Sequence, residues 1–230
     1  MGYVLTTHTT LRTLAVTVPL VLAAALAASC KPLTTPAAPA APTAAGAAGT
    51  GSGGQPADVG AARRALAGLR VAPEDTGVHY NREDWPHWTP VSGECDAREQ
   101  TLKTQGRNVT TGAHCRVTGG TWTSPYDGVT VTTPGALDID HMVPLAEAAR
   151  SGTRGWSREQ RQRYANDTAV VLVAVTAKSN RAKGDQDPAK WLPALDRCGY
   201  VARWVTVKAK YAMTLDQREH DAIAGILAHC

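Results

Sequence analysis

Two hydrophobic periods alternate along the chain, and the switches between them mark most of the expected elements. Residues 61–70 (AARRALAGLR) carry apolar side chains at helical spacing and predict a short amphipathic helix. DAREQTLKTQG, beginning at Asp96, predicts a second helix ending at Gly106. Between 108 and 133 the period drops to two, with Thr and Val alternating between GG and DG pairs; this predicts β-hairpins. Leu137, Ile139 and Val143 then alternate with Asp138, Asp140 and His141. A strand there puts both aspartates on one face and His141 on the other, or at the strand end. LAEAARSG reads as a short helix ended by Gly152, and Ser157 with Gln160 forms a capping box that opens a helix through Tyr164. The run AVVLVAV (169–175) is most simply a buried strand, and KSNRAKGDQDPAKWLP after it is polar and turn-rich. Two helices follow, Gly199 to about Ala212 and Leu215 to Ala228. The second opens at a capping box, Thr214-Leu-Asp-Gln217, and has Ile223, Ile226 and Leu227 on one face. The expected fold is a small mixed α+β domain in which helices outnumber strands.

The first sixty residues follow a different logic. Residues 1–30 run from a polar start with Arg12 into LAVTVPLVLAAALAAS and Cys30, the pattern of an export signal. LAASC resembles a bacterial lipobox, which would make Cys30 a lipidated residue and the only membrane attachment; cleavage after Ala27 is the rival reading. Residues 31–60 are nearly all Ala, Pro, Thr and Gly with almost no charge, the composition of a flexible tether. Residues 61–230 suit one compact domain. The expected location is outside the cytoplasm, on the cell surface or free.

Composition adds two constraints. Cys95, Cys115, Cys198 and Cys230 are an even set in an exported domain, so two disulfides are expected. Three pairings are open, and proximity along the chain favours Cys95–Cys115 and Cys198–Cys230. Zinc is disfavoured, because no Cys-x-x-Cys pair occurs. The formal charge is +4, of which Arg12 supplies one, too little by itself to identify a nucleic-acid partner. Distribution says more: Arg150, Arg154, Arg158, Arg161 and Arg163 precede Lys178, Arg181, Lys183 and Lys190. Taken singly these are solvated helix residues; together, around an acidic cluster, they suggest a phosphate-bearing substrate beside a cation. HYNREDWPHW (79–88) reads as an aromatic anchor for the N-terminal arm rather than a substrate groove.

Three polar clusters carry the candidate chemistry: DIDH at 138–141, AND at 165–167 and SNRAKG at 179–184. A strand, a connection, a second strand and a short helix would bring Asp140, His141 and Asn180 together. Carboxylate and amide oxygens suit a hard cation, and a neutral histidine beside it can take a proton from water. Alone, each residue has a duller reading: a structural hydrogen bond for the Asp-His pair, a turn or cap for Asn180, a helix stop for Asn166-Asp167.

Asp138-Ile-Asp140-His141-Met-Val-Pro144 and Asn180-Arg-Ala-Lys183-Gly184 together resemble the HNH, or His-Me finger, endonucleases, whose site is a ββα-metal motif. The resemblance is nearest to exported bacterial members, is shared with the C-terminal domain of GmrSD-type restriction enzymes, and runs from about Tyr80 to Cys230. It implies a disulfide-stapled domain holding one divalent cation, Mg²⁺ or Mn²⁺, through Asp140 and Asn180. It implies His141 as general base, Asn166 as the residue that orients it, Arg181 and Lys183 on substrate phosphate, and Asp138 as a supporting residue. The implied reaction is hydrolysis of nucleic-acid phosphodiester bonds leaving 5′-phosphate ends; the resemblance does not decide between DNA and RNA, and DNA is the expected substrate. The protein is expected to act as a monomer. With no dedicated base-reading module in the sequence, recognition through the backbone is expected. The competing class is a surface lipoprotein that binds nucleic acid or an envelope component without cutting it.

Overall fold

Fourteen regular elements surround one apolar core in the computed structural model, which describes residues 57–230. The expected export signal, the candidate lipidation site Cys30 and most of the expected tether lie outside the described residues. The first helix, α1 (Val59–Gly68), starts two residues before the predicted one, because the Asp58 side chain accepts from Ala61 N and caps it. A short 3-10 turn (Arg82–Asp84) leads to the antiparallel pair β1 (Pro90–Ser92) and β2 (Cys95–Asp96). Asp96 caps α2 (Ala97–Gln105), which ends at Gly106 as its sequence indicates.

The predicted hairpins form one antiparallel sheet in the order β3 (Arg107–Thr111), β4 (Val117–Thr123), β5 (Thr130–Val131). The Asp127-Gly128 turn joins β4 to β5 as expected. The Gly119-Gly120 pair does not turn; it lies inside β4. A Cβ at Gly120 would sit 2.6 Å from the Trp122 indole and its φ is +156°, so close ring packing, not a turn, requires the glycine.

The strand containing DIDH is β6 (Leu137–His141), followed by α3 (Leu145–Arg150) and α4 (Arg158–Ala165), whose Ser157 capping box is present in full. β7 (Leu172–Thr176) is shorter than the apolar run that predicts it, since residues 169–171 are drawn into a turn by Asp167. It pairs antiparallel with β6, Asp138 opposite Val175 and Asp140 opposite Val173. The far edge of β7 meets a side chain: Gln105 donates to Leu172 O and accepts from Ala174 N, both at 2.9 Å.

The polar SNRAKG stretch is helical, not a series of turns. Thr176 caps α5 (Ala177–Lys183), Asp127 accepts from the Thr176 and Ser179 hydroxyls, and Gly184, at φ +56°, ends it. α6 (Arg197–Lys210) and α7 (Gln217–Ala228) start from Asp196 and Asp216. The Thr214 capping box is therefore not used; Asp216 binds Arg218 N and Glu219 N instead. Between them Lys208, fully buried, donates to Glu147, Glu219, Ser151 and the Thr214 carbonyl at 2.8–3.0 Å.

The disulfides are Cys95–Cys115 and Cys198–Cys230, the pairing that proximity favours. The second closes a sequence separation of 32 residues between the start of α6 and the end of α7. Replacing both Cys198 and Cys230 by Ser should cost about 3–4 kcal/mol. In a domain of this size that lowers the midpoint of thermal unfolding by roughly 10 °C. Calorimetry checks this, and an unchanged midpoint would contradict it.

Candidate active site

β6 divides its side chains between two neighbours, and that division builds the site. Asp138 and Asp140 face α5, where Asn180 Nδ2 donates to Asp138 Oδ2 at 3.1 Å and Lys183 Nζ donates to Asp140 Oδ1 at 2.9 Å. His141 faces α4 and the 86–89 arm. The edges of both faces meet in a cleft of about 260 Å³ lined by Arg82, Asp140, His141, Pro144, Asn180 and Arg181, among others. The sequence-predicted strand, strand and helix thus do bring Asp140, His141 and Asn180 to one opening.

His141 is buried, and its Nε2 lies 3.0 Å from the Ala165 carbonyl at the end of α4. A carbonyl only accepts, so Nε2 carries the proton and Nδ1 keeps its lone pair. The ring stacks near Tyr164, with centroids 6.3 Å apart, and Trp88 lies on another side at 6.0 Å. Burial lowers its pKa from 6.5 to about 3, against the bond to Ala165, so the ring is neutral at ordinary pH.

Asn166 does not touch His141. Its amide accepts from Thr89 N at 2.9 Å and donates to the carbonyls of Pro86 and Gln162 at 2.7 Å. It ties the aromatic arm to the end of α4, next to the carbonyl that holds His141. The orientation expected of Asn166 is exerted one residue earlier, by the Ala165 main chain. The arm is the anchor its sequence suggests, with Trp85 buried against Trp156 and Tyr164, but it also forms one wall of the site.

Asp140 is 6 % exposed, and Tyr126 OH donates to its Oδ2 at 2.6 Å, the oxygen that Lys183 Nζ also approaches at 2.8 Å. Burial pushes the Asp140 carboxyl up and the Lys183 ammonium down, while their contact opposes both shifts. Lys183 is 0 % exposed. It is therefore not placed to meet a substrate phosphate, the role its sequence position suggests, because Asp140 takes its charge inside the fold. Arg181 is in the cleft and 78 % exposed at the side chain, 3.7 Å from Asp138. Arg82 is the cleft residue that sequence reasoning passed over. Its charge reaches His141, yet no motif marks it, since it arrives from the aromatic arm. The arginine run after DIDH is largely committed elsewhere: Arg150 to Glu74, Glu147 and Asp185, Arg154 to Asp75, and Arg161 over Trp85.

The oxygen donors fit a hard cation. Asn180 Oδ1 makes no hydrogen bond among the described residues. An ionised carboxylate accepts about four bonds, so Asp140 retains capacity beyond Tyr126 and Lys183. A second convergence, Glu74, Glu147 and Asp187, has carboxylate oxygens within 4.8 Å of one another, but Arg150, Lys190 and Lys208 neutralise it. It reads as an ion-pair network.

A sequence profile for GmrSD restriction endonucleases, C-terminal domain, matches residues 96–226, which include β6, β7 and α5. The chain belongs to this family. A protein of Arthroderma benhamiae (strain ATCC MYA-4681 / CBS 112371), described as an uncharacterized secreted protein, is 42% identical over 172 residues. That match covers 74% of this chain and 84% of the relative. No solved structure matches the chain. Membership of the GmrSD C-terminal family makes a nuclease the activity class to test against the cleft.

Proposed function

We propose that this GmrSD C-terminal-type chain is an exported, metal-dependent endonuclease that cuts DNA by hydrolysis with little sequence preference. The observation that carries the reading is the cleft itself. A neutral imidazole with its tautomer fixed opens beside two oxygen-bearing side chains from different elements, Asp140 and Asn180. β6, β7 and α5 then constitute a ββα-metal motif. Asp140 and Asn180 would hold a divalent cation, Mg²⁺ or Mn²⁺, which would supply positive charge to polarise the scissile phosphate and stabilise the departing oxygen.

The chain's own residues do the remaining work. The Ala165 carbonyl keeps the Nε2 proton in place, so Nδ1 is the atom that receives a proton from the attacking water. Trp88 and Tyr164 limit rotation of the ring and exclude bulk water behind it. Asp138 orients Asn180 through its amide nitrogen and leaves the amide oxygen toward the opening. Arg181 and Arg82 contact the phosphate backbone and supply the salt-dependent part of affinity. The secreted relative, the two disulfides and the N-terminal sequence support export.

Nicking of supercoiled plasmid in Mg²⁺ or Mn²⁺ tests the reading. Activity should vanish with chelator and return with metal; activity that persists in chelator would refute the assignment. Replacing Arg82 and Arg181 together by Ala should weaken plasmid binding about equally on unrelated sequences. It should also flatten the dependence of log affinity on log salt by about two contacts' worth. An unchanged salt slope would remove both arginines from the interface.

A further inference from the structure

Lys183 has an ammonium with no route to solvent and three acceptor contacts, all at the end of β6. It donates to Asp140 Oδ1 at 2.9 Å, lies 2.8 Å from Asp140 Oδ2 and donates to the His141 carbonyl at 2.9 Å. It projects from α5, the helix that also presents Asn180. One cation therefore ties the strand carrying Asp140 and His141 to the helix carrying Asn180. Tyr126 OH adds a hydrogen bond to Oδ2, one of the two oxygens that Lys183 contacts.

We propose that Lys183 is a resident counter-cation and positioning residue: it balances Asp140 from inside the fold and fixes the spacing of Asp140, His141 and Asn180. The inference rests on the metal site of the preceding reading, and it adds a definite sign. A divalent ion entering the cleft must share Asp140 with an ammonium already in contact with it. Like charges repel strongly where little water screens them, so Lys183 weakens cation affinity while holding the geometry that uses the cation. A merely structural lysine would hold the fold together without setting that affinity.

The test compares the intact chain with K183M and K183R, using Mn²⁺ binding followed by electron paramagnetic resonance and thermal unfolding with and without Mn²⁺. K183M keeps the length of the side chain and deletes the charge. It should unfold at a lower temperature than wild type in chelator, because Asp140 is left buried without its partner. It should bind Mn²⁺ roughly tenfold or more tightly than wild type, and gain more from Mn²⁺ in unfolding temperature. K183R should keep the wild-type Mn²⁺ affinity. The plasmid-nicking rate of K183M should fall despite tighter binding, since the Lys183 contacts to Asp140 and to the His141 carbonyl no longer fix the spacing of β6 and α5.

Should K183M fail to fold in chelator, the comparison becomes recovery of its near-ultraviolet circular dichroism when Mn²⁺ is added. Recovery supports the inference, and no recovery overturns it. Equal or weaker Mn²⁺ affinity in K183M also overturns it, while leaving the metal site of the wild type standing. A wild-type protein that binds no Mn²⁺ removes the metal site itself, and the two failures are thereby distinct.

Discussion

His141→Ala should reduce metal-dependent plasmid nicking by about 10²–10⁴-fold, the usual contribution of a positioned general base. Mn²⁺ binding should be little changed, because the variant leaves Asp140 and Asn180 in place. The ring is buried between Tyr164, Trp88 and the end of α4, so its removal opens a cavity and lowers stability somewhat. For that reason rates are compared well below the unfolding temperature of the variant, with circular dichroism showing that it is folded. Residual wild-type rates would refute the assignment of His141. Adding free imidazole offers a further check: partial recovery is expected where a small base can enter the vacated volume.

The largest loss of stability is expected at Lys208→Met. Lys208, Glu147 and Glu219 are each at most 1 % exposed, and the ammonium has four acceptors. Deleting the charge strands the Glu219 carboxylate in the interior and leaves Glu147 with Arg150 alone, which should cost about 3–5 kcal/mol. That approaches the whole stability of an ordinary domain. Burial already raises the Glu219 pKa from 4.5 to about 7, even with Lys208 beside it. A folded value above the unfolded one means that protonation favours the fold, and this contribution is lost as pH rises through 7. The K208M deficit should therefore be larger at pH 8 than at pH 6 in urea unfolding. A deficit under about 1 kcal/mol at both values would show that the network carries little.

The local signals of the chain were readable in sequence because their causes are local. DIDH alternates with apolar residues, and it is a strand. Four cysteines pair with their nearer neighbours, and the capping box at Ser157 forms in full. Asn180 could be placed beside Asp140 because a buried strand and a short helix leave few other paths for the chain. What sequence did not disclose depends on contacts between distant segments. Lys183 looks like a phosphate ligand in NRAKG until β6 is seen to bury it against Asp140. Arg82 carries no motif, and only the docking of Trp85 brings it to the cleft. The hold on His141 comes from a main-chain carbonyl, to which any residue at 165 would contribute the same atom. The helix at 177–183 was legible from the strand–strand–helix arrangement but not from its own polar composition, since it is capped by Thr176 and Asp127 at one end and carries no apolar stripe.

Gln105 gives the antiparallel pair of β6 and β7 a property unrelated to the proposed catalysis. A strand edge with free amides and carbonyls invites another chain to pair with it, and a two-stranded ribbon is especially open to such growth. At Leu172 and Ala174 the Gln105 amide occupies that position, offering one donor and one acceptor as a neighbouring strand would. At high concentration this is protection against intermolecular sheet formation. Gln105→Leu would keep the packing volume and reopen the edge, so its cost should appear less in folding than in solubility at high concentration.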